Sequence, residues 1–470
     1  MIQELKQKLP ELWRHPAIRT ILFPWAVAFL ILQLVNTQDG GPNAVSRFLT
    51  LRSMSEKASF TIDTRIGATT DWAHTPDGHY YSNKAPGPML LGFPVFVVLD
   101  QIPRLWEKGF RDEFGERHVP GYFLKTWTSL LNQALPLLIL LAMIIRWLQT
   151  QNISRMSQVF FLLAVFFGST VSLYYNNYSG HGFEAILQLA LVYAIFRERY
   201  RWVGFFAGAA LLSDYGFGIQ LPALVAVLCL LWFTKKENIL HPIKEIVIGG
   251  LIPGALWIWY HMACYGSPFL IANNFQNPIF LDTAKEDVNL WGIFRVPNFH
   301  ALYQLTIGPE RGILYTQPWI LLLFPFAFCR VCSKAKIETR IVAIFSALSL
   351  ISLLVMNMSY GGWAGGGTAG PRYLSGIFLC FALWITLELD QFPKWLRVSF
   401  WSLLGFSLFY RAMVYGSTIL AGAPLWDFYF SEFRRPTKTP QLRFAIFTLI
   451  LIGTWIFQKR LWKRTSSAVG

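Results

Sequence analysis

Apolar residues run along this chain in long blocks separated by short polar stretches. A bilayer core is crossed by about 20 helical residues, so the blocks predict twelve spans. They lie near 17–36, 120–145, 156–175, 181–197, 202–214, 217–234, 243–264, 317–332, 340–357, 373–389, 396–418 and 441–458. The run at 88–99 is too short to span and is broken by Pro88, Pro94 and the nearby Pro103. It is read as a helix lying in the membrane interface.

Charge placement orients these spans. With 88–99 kept out of the count, the basic clusters fall in short loops on one side: Arg146 and Arg155; Arg197, Arg199 and Arg201; Lys235, Lys236 and Lys244; Arg330, Lys334, Lys336 and Arg340; Lys394 and Arg397. Lys6, Lys8 and Arg14 before the first block, and Lys459, Arg460, Lys463 and Arg464 after the last, join them. Short basic loops stay cytoplasmic, which predicts a multi-pass plasma (bacterial inner) membrane protein with both ends inside. The first block is read as an uncleaved span, because no small-residue cleavage site follows it. The remaining loops, 37–119, 175–181, 214–217, 265–316, 358–372 and 419–440, then lie outside. The whole chain, 1–470, reads as one transmembrane domain with 37–119 and 265–316 as its large outer loops.

Composition agrees with this picture. Of the 470 residues 54% are apolar and only 14% charged, against about 25% charged in ordinary globular domains. That excludes a disordered or disulfide-stapled chain. The net charge of +15 would suggest nucleic acid in a soluble protein; here cytoplasmic loops and anionic headgroups account for it, and no nucleic-acid partner is expected. The five cysteines are read as small apolar filler, the Cys329–Cys332 pair having no second pair to complete a metal site. There is no GxxxxGK[ST], no HExxH and no GxSxG, so P-loop hydrolysis, zinc-protease chemistry and a nucleophile elbow are not expected.

Ionisable and glycine-rich segments gather in the outer loops. The first loop carries Asp39, Arg47, Asp63 and Asp71, then Lys84 followed by Ala85-Pro86-Gly87-Pro88. The second opens a span with Gly180-His181-Gly-Phe-Glu184, placing His181 and Glu184 on one helix face. Asp214-Tyr215 makes a tight acidic turn, and Gly361–Gly370 has six glycines before Pro371-Arg372. Charges this close to a membrane are expensive unless paired or functional. Lys84 and Arg372 suit a phosphate, and backbone N–H groups of the glycine run are expected to converge on the same anion. Arg411, in the outer half of its span, is expected to reach outward or to pair. A solvated lysine, a packed histidine and a flexible hinge remain the ordinary readings of the same residues.

Taken together, Ser46-Arg47, Tyr80-Tyr-Ser-Asn-Lys-Ala-Pro-Gly87, Gly180-His181, Asp214-Tyr215, Tyr265-Gly-Ser-Pro-Phe269 and Trp363-Ala-Gly-Gly-Gly-Thr-Ala-Gly-Pro-Arg372-Tyr373 are a combination that resembles the GT-C superfamily of membrane glycosyltransferases. The likeness is to bacterial relatives of the protein O-mannosyltransferases and lipid A aminoarabinose transferases. The resemblance implies an all-α polytopic fold whose first outer loop is catalytic and carries interfacial helices. It implies transfer of a monosaccharide from a polyprenyl-phosphate donor to an envelope acceptor hydroxyl, with inversion. The acceptor would be a glycan, lipid or protein. No cofactor is expected and no metal ligand is assigned, although a divalent ion stays open. Lys84 matches the family's phosphate-contacting lysine, and Arg372 joins it on chemical grounds. The family's acid usually stands just before the arginine matched by Arg47, where this chain has Asn43-Ala-Val-Ser46. Asp39 is therefore the first candidate base, with Asp63 and Asp71 behind it; Arg47, His181, Glu184, Asp214 and Tyr215 are left to orient the acceptor. A flippase for a lipid-linked sugar and a catalytically silent relative are the competing readings.

Overall fold

In the computed structural model, residues 15–35, 41–102, 122–175, 177–235, 239–280, 296–331, 335–366, 368–414 and 439–467 are described. Helix forms at every one of the twelve apolar blocks. The first is α1 (Phe23–Val35), entered through a π-turn at Ile18–Leu22. In the loop that follows stand α2 (Gly41–Lys57), a hairpin of β1 (Trp72–His74) and β2 (Tyr80–Ser82), and α3 (Gly87–Asp100). Next come α4 (Tyr122–Ser129), α5 (Leu135–Thr150), α6 (Arg155–Phe166), α7 (Gly180–Phe196), α8 (Tyr200–Ser213), α9 (Leu221–Lys235) and α10 (Leu240–Tyr265). The short α11 (Phe299–Thr306) and α12 (Ile313–Thr316) precede α13 (Pro318–Val331), α14 (Ile337–Met358), α15 (Phe378–Glu388), α16 (Lys394–Val414) and α17 (Thr439–Ser467).

Six of the helical stretches are both long and apolar enough to cross a membrane: Leu124–Thr150, Tyr215–Thr234, Leu240–Tyr265, Ile337–Met358, Arg372–Gln391 and Gln441–Lys463. The chain is thus an all-α protein with membrane-spanning character. Others are shorter than their apolar blocks. α6 stops at Phe166, and residues 167–175 turn back instead of continuing the helix expected to 175. Gly168 explains the break: a Cβ there would stand 2.4 Å from Leu404, so the chain turns where α16 presses closest.

Central to the bundle is α15, every residue of which is buried, packed against α6, α7 and α14. Aliphatic and aromatic side chains fill most of this interior, and some of the polar groups that enter it are paired between helices. Trp25 Nε1 donates to Gln458 Oε1 at 3.0 Å, and Gln458 Nε2 donates to the Thr20 carbonyl at 3.1 Å, fastening α17 to the first helix.

A different device joins α8 to α10. Gly204 and Gly208 are spaced by four, and Gly249 faces them from the partner helix. A Cβ at Gly204 would lie 1.9 Å from the Ile246 carbonyl oxygen, and one at Gly249 would lie 1.8 Å from that of Arg201. The two backbones are therefore in direct contact at Gly204 and Gly249, while Gly208 receives the Pro253 ring. Small residues at this spacing permit such approach, and dispersion over the long seam holds it.

The segment after α1 folds over one end of the bundle. The hairpin pairs Trp72 with Ser82 and His74 with Tyr80. The Ser46 hydroxyl lies 2.6 Å from both the Asp71 carbonyl and the Ser82 hydroxyl, pinning α2 to the hairpin. Asn277 N–H donates to the Trp72 carbonyl at 3.0 Å, so the start of the second large loop closes over the first. Close approach also fixes the ends of α3 and α7. Added Cβ atoms at Gly87 and Gly180 would stand 2.6 Å and 2.3 Å from backbone atoms of Ser213, the last residue of α8.

The seam gives a clean test. Gly249→Ala is expected to lower thermal stability in detergent by about 1–3 kcal/mol, the usual cost of overpacking. Gly254→Ala, on the same helix with nothing within 4 Å of the added methyl, is expected to be neutral or stabilising. Equal unfolding midpoints for the two variants would remove the seam as a close backbone contact.

Candidate functional site

Three basic side chains from distant parts of the sequence meet where the first loop covers the bundle. Arg47 comes from α2, Lys84 from the turn between β2 and α3, and Arg372 from the short turn that precedes α15. Arg47 is only 4% exposed. Its Nη1 donates to the Asn43 carbonyl at 3.2 Å and contacts the Asn43 side-chain oxygen, while its buried Nε has no hydrogen-bond partner. Gly180 makes room for this guanidinium, since a Cβ there would stand 3.0 Å from Arg47 Nη2. Arg47 thus lies against the N-terminal end of α7, which carries the positive end of the helix dipole. Two sources of positive potential are pushed together, an arrangement suited to an anion.

Lys84 Nζ pairs with Asp71 Oδ1 at 3.1 Å. Asp71 directly precedes β1 and Lys84 follows β2, so the hairpin register brings them side by side. Burial, and then the like charges of Arg372 and Arg47, pull the Lys84 ammonium down to about 8 against the opposing pull of Asp71. Arg47 is lowered to about 10, chiefly by burial and by Arg372, and stays protonated at neutral pH.

A second set of contacts holds Arg372. Its Nε–H donates to His181 Nε2 at 2.8 Å, and its Nη1 donates to the Gly365 carbonyl at 3.1 Å. His181 Nδ1 lies 2.7 Å from Asp214 Oδ2. Because Nε2 accepts, the ring proton resides on Nδ1 and is donated to Asp214. Ser179 caps α7 through the His181 N–H, and the Gly216 N–H donates to Asp214 Oδ1 at 2.9 Å. The histidine and the aspartate are therefore each fixed by the end of their own helix. Around this cluster three cations, Arg47, Lys84 and Arg372, face two carboxylates, Asp71 and Asp214.

The glycine run behaves differently from the expectation of converging N–H groups. Its carbonyls are the groups turned inward. Arg311 Nε donates to the Ala364 carbonyl at 3.0 Å and Arg311 Nη2 to that of Gly366 at 2.9 Å, alongside the Gly365 contact to Arg372. Several of the loop's N–H groups are taken up in its own turns, Trp363 N–H to Tyr360 and Gly365 N–H to Gly362. Positive φ at Gly365 and Gly366, both +69°, allows successive carbonyls to face the same way. Among its described residues the loop is thus a carbonyl cradle for two guanidiniums. Arg311 was not singled out by sequence; its only signal is a charged residue just before an apolar block.

The other expected residues divide. Asp39 lies outside the described residues. Asp63 is placed away from the cations: its carboxylate accepts from the Tyr80 N–H at 2.6 Å and sits 2.8 Å from His79 Nδ1, closing the hairpin. Glu184 Oε1 accepts from Gln188 and Gln220, both at 2.8 Å, deeper in the bundle. Tyr215 turns its hydroxyl to His261 Nε2 at 3.1 Å, facing α10. Arg411 is buried, with Nη2 donating to the Ser172 carbonyl at 3.4 Å.

His181, Glu184 and Asp214 offer ligand atoms within 4.8 Å of one another. That spacing would admit a metal ion, but both nitrogens of His181 and one oxygen of Glu184 are already engaged. The guanidiniums of Arg47 and Arg372 beside them oppose a further cation. The set fits a hydrogen-bonded relay better than a metal centre.

No family model, no curated protein and no solved structure matches the chain.

The position of Lys84 yields a pH dependence. Its proton is held up to about 10.5 in the unfolded chain but only to about 8 in the folded one, so between these values the unfolded state binds more protons. Stability in detergent is expected to rise with pH across this window, relative to a Lys84→Met variant that lacks the titrating group. Parallel unfolding midpoints for the two proteins from pH 8 to 10 would contradict the assignment.

Proposed function

We propose that the chain is a membrane glycosyltransferase that moves a monosaccharide from a polyprenyl-phosphate donor to an acceptor hydroxyl on the outer face of the membrane. One observation carries the reading. At one end of an apolar helix bundle the buried Arg47 and the half-buried Lys84 and Arg372 gather around Asp71 and Asp214. A donor of this kind keeps its tail in lipid and its phosphate at the interface, the level at which such a cluster is useful. Electrostatic stabilisation of a leaving group by preorganised charges is commonly the largest single contribution to catalysis. Phosphate is the leaving group here.

The chemistry follows from the pairings. In the free protein Asp71 is held by Lys84. A donor phosphate competes for the ammonium and for Arg372 and Arg47, which frees the Asp71 carboxylate to accept a proton. The acceptor oxygen attacks the anomeric carbon on the face opposite the phosphate, and its proton passes to Asp71. The carbon–oxygen bond to phosphate breaks, the electron pair leaves with the phosphate oxygen, and the configuration inverts. No nucleotide is required, since the phosphate ester itself supplies the driving force. Of the three acids considered from sequence, Asp71 is favoured because it alone among the described ones touches a cation of the cluster.

Purified protein in detergent is expected to transfer sugar from a polyprenyl-phosphate-sugar without nucleotide. Asp71→Asn should slow transfer roughly 10²–10⁴-fold, the usual range for a general base, and leave donor binding intact. Asp63→Asn should transfer normally, and Asp39→Asn is the needed comparison. A slow Asp39→Asn beside a fully active Asp71→Asn would move the base to Asp39. Lys84→Ala and Arg372→Ala should each reduce turnover at least about tenfold, as expected for a lost charge-assisted contact to phosphate. A wild-type protein that carries the lipid-linked sugar across vesicle bilayers but never transfers it would replace this reading with a flippase.

Orientation is tested separately. Single cysteines at Gly78 and Thr368, in a cysteine-free background, should label with an impermeant reagent applied to intact cells. One at the exposed Gln391 should not. Labelling at Gln391 with protection at Gly78 would reverse the topology.

A further inference from the structure

Arg372 has five N–H donors; among the described residues, Nε is engaged with His181 and one at Nη1 with Gly365. A guanidinium rarely finds an uncharged histidine as its acceptor by accident. Here the imidazole can accept only because its other nitrogen carries the proton, and Asp214 holds that proton at 2.7 Å. We propose that Asp214 and His181 are positioning residues that aim the Arg372 guanidinium at an anionic group. In the glycosyltransferase reading, on which this inference rests for the identity of the anion, that group is the donor phosphate.

The surroundings of His181 favour this role. Arg372 approaches from the turn before α15, Asp214 from the end of α8, and Arg47 from α2, while Glu184 sits one turn along the same helix. The rings of Tyr174 and Tyr373 flank it, with centroids 5.4 Å and 5.7 Å away. The imidazole is thus held on all sides and cannot swing to a different partner. A proton added at Nε2 would place an N–H against the Arg372 Nε–H and end the contact. The neutral Nδ1–H tautomer is the form that orients the arginine. An aspartate that fixes a histidine tautomer for use by a third group is an established physical device. Here the third group is a guanidinium on a long side chain that would otherwise keep its rotamer freedom.

The test is a double-mutant cycle on binding of farnesyl phosphate to the full-length protein in detergent, with no sugar transfer measured. His181→Ala should weaken binding roughly tenfold, about the worth of one hydrogen bond to a charged group. In an Arg372→Ala background the same substitution should have little further effect, because the residue through which it acts is gone. Combined with Lys84→Ala it should remain roughly tenfold. His181→Gln, whose carbonyl can still accept from Arg372, should recover part of the loss. Asp214→Asn, nearly isosteric, provides a second cycle should His181→Ala fold poorly, and the same coupling to Arg372 is expected. Equal losses in wild-type and Arg372→Ala backgrounds would overturn the proposal, as would wild-type protein that binds no farnesyl phosphate. Coupled binding in a protein that never transfers sugar would remove the glycosyltransferase reading and leave the relay standing.

Discussion

The structure is organised around positive charge that is partly withdrawn from water and only partly neutralised. Arg47 is buried, Lys84 and Arg372 half-buried, and such charges are expensive to desolvate. Each is tolerated because something rigid accepts from it: a helix carbonyl and Asn43 for Arg47, Asp71 for Lys84, and His181 with Gly365 for Arg372. Those acceptors must themselves be fixed. That requirement explains the tight cap of α7, the acidic turn after α8, the hairpin register and the inward carbonyls of the glycine run. Remove the charge and much of the loop architecture has no evident purpose.

The same constraint separates the carboxylates. Asp63 and Asp71 lie eight residues apart in one loop and look alike in sequence. Asp63 faces the outer side of the hairpin and is used up by a backbone N–H and His79. Asp71 stands at the base, where Lys84 reaches it. Their difference in contacts comes from which end of a two-stranded ribbon each adjoins, a property of pairing and not of composition.

Most of the helical framework was legible in the sequence, because hydrophobic blocks and basic loops are local signals. Helix forms at each block, and the short run at 88–99 is a single helix of about the expected length. What was not legible depends on contacts between distant segments. The early end of α6 reflects Gly168 against α16. The direction in which the glycine run points its carbonyls depends on Arg311, more than fifty residues away. That His181 would accept from Arg372 follows from a tautomer that Asp214 dictates. The close pairing of Gly204 and Gly208 with α10 was not anticipated, because it depends on which helix lies opposite. Arg47, Asp71, Lys84, His181, Asp214 and Arg372, drawn from separate loops, do gather at one end.

That glycine seam reaches further than its place inside the bundle suggests. Ser213 and Asp214 close α8, and both Gly87 and Gly180 rest on Ser213. At Gly204 and Gly249 the backbones of α8 and α10 touch, so the helix that ends in Ser213 and Asp214 is anchored along its length by positions that tolerate no side chain. The placement of the cluster thus draws on a stripe of backbone deep among the helices.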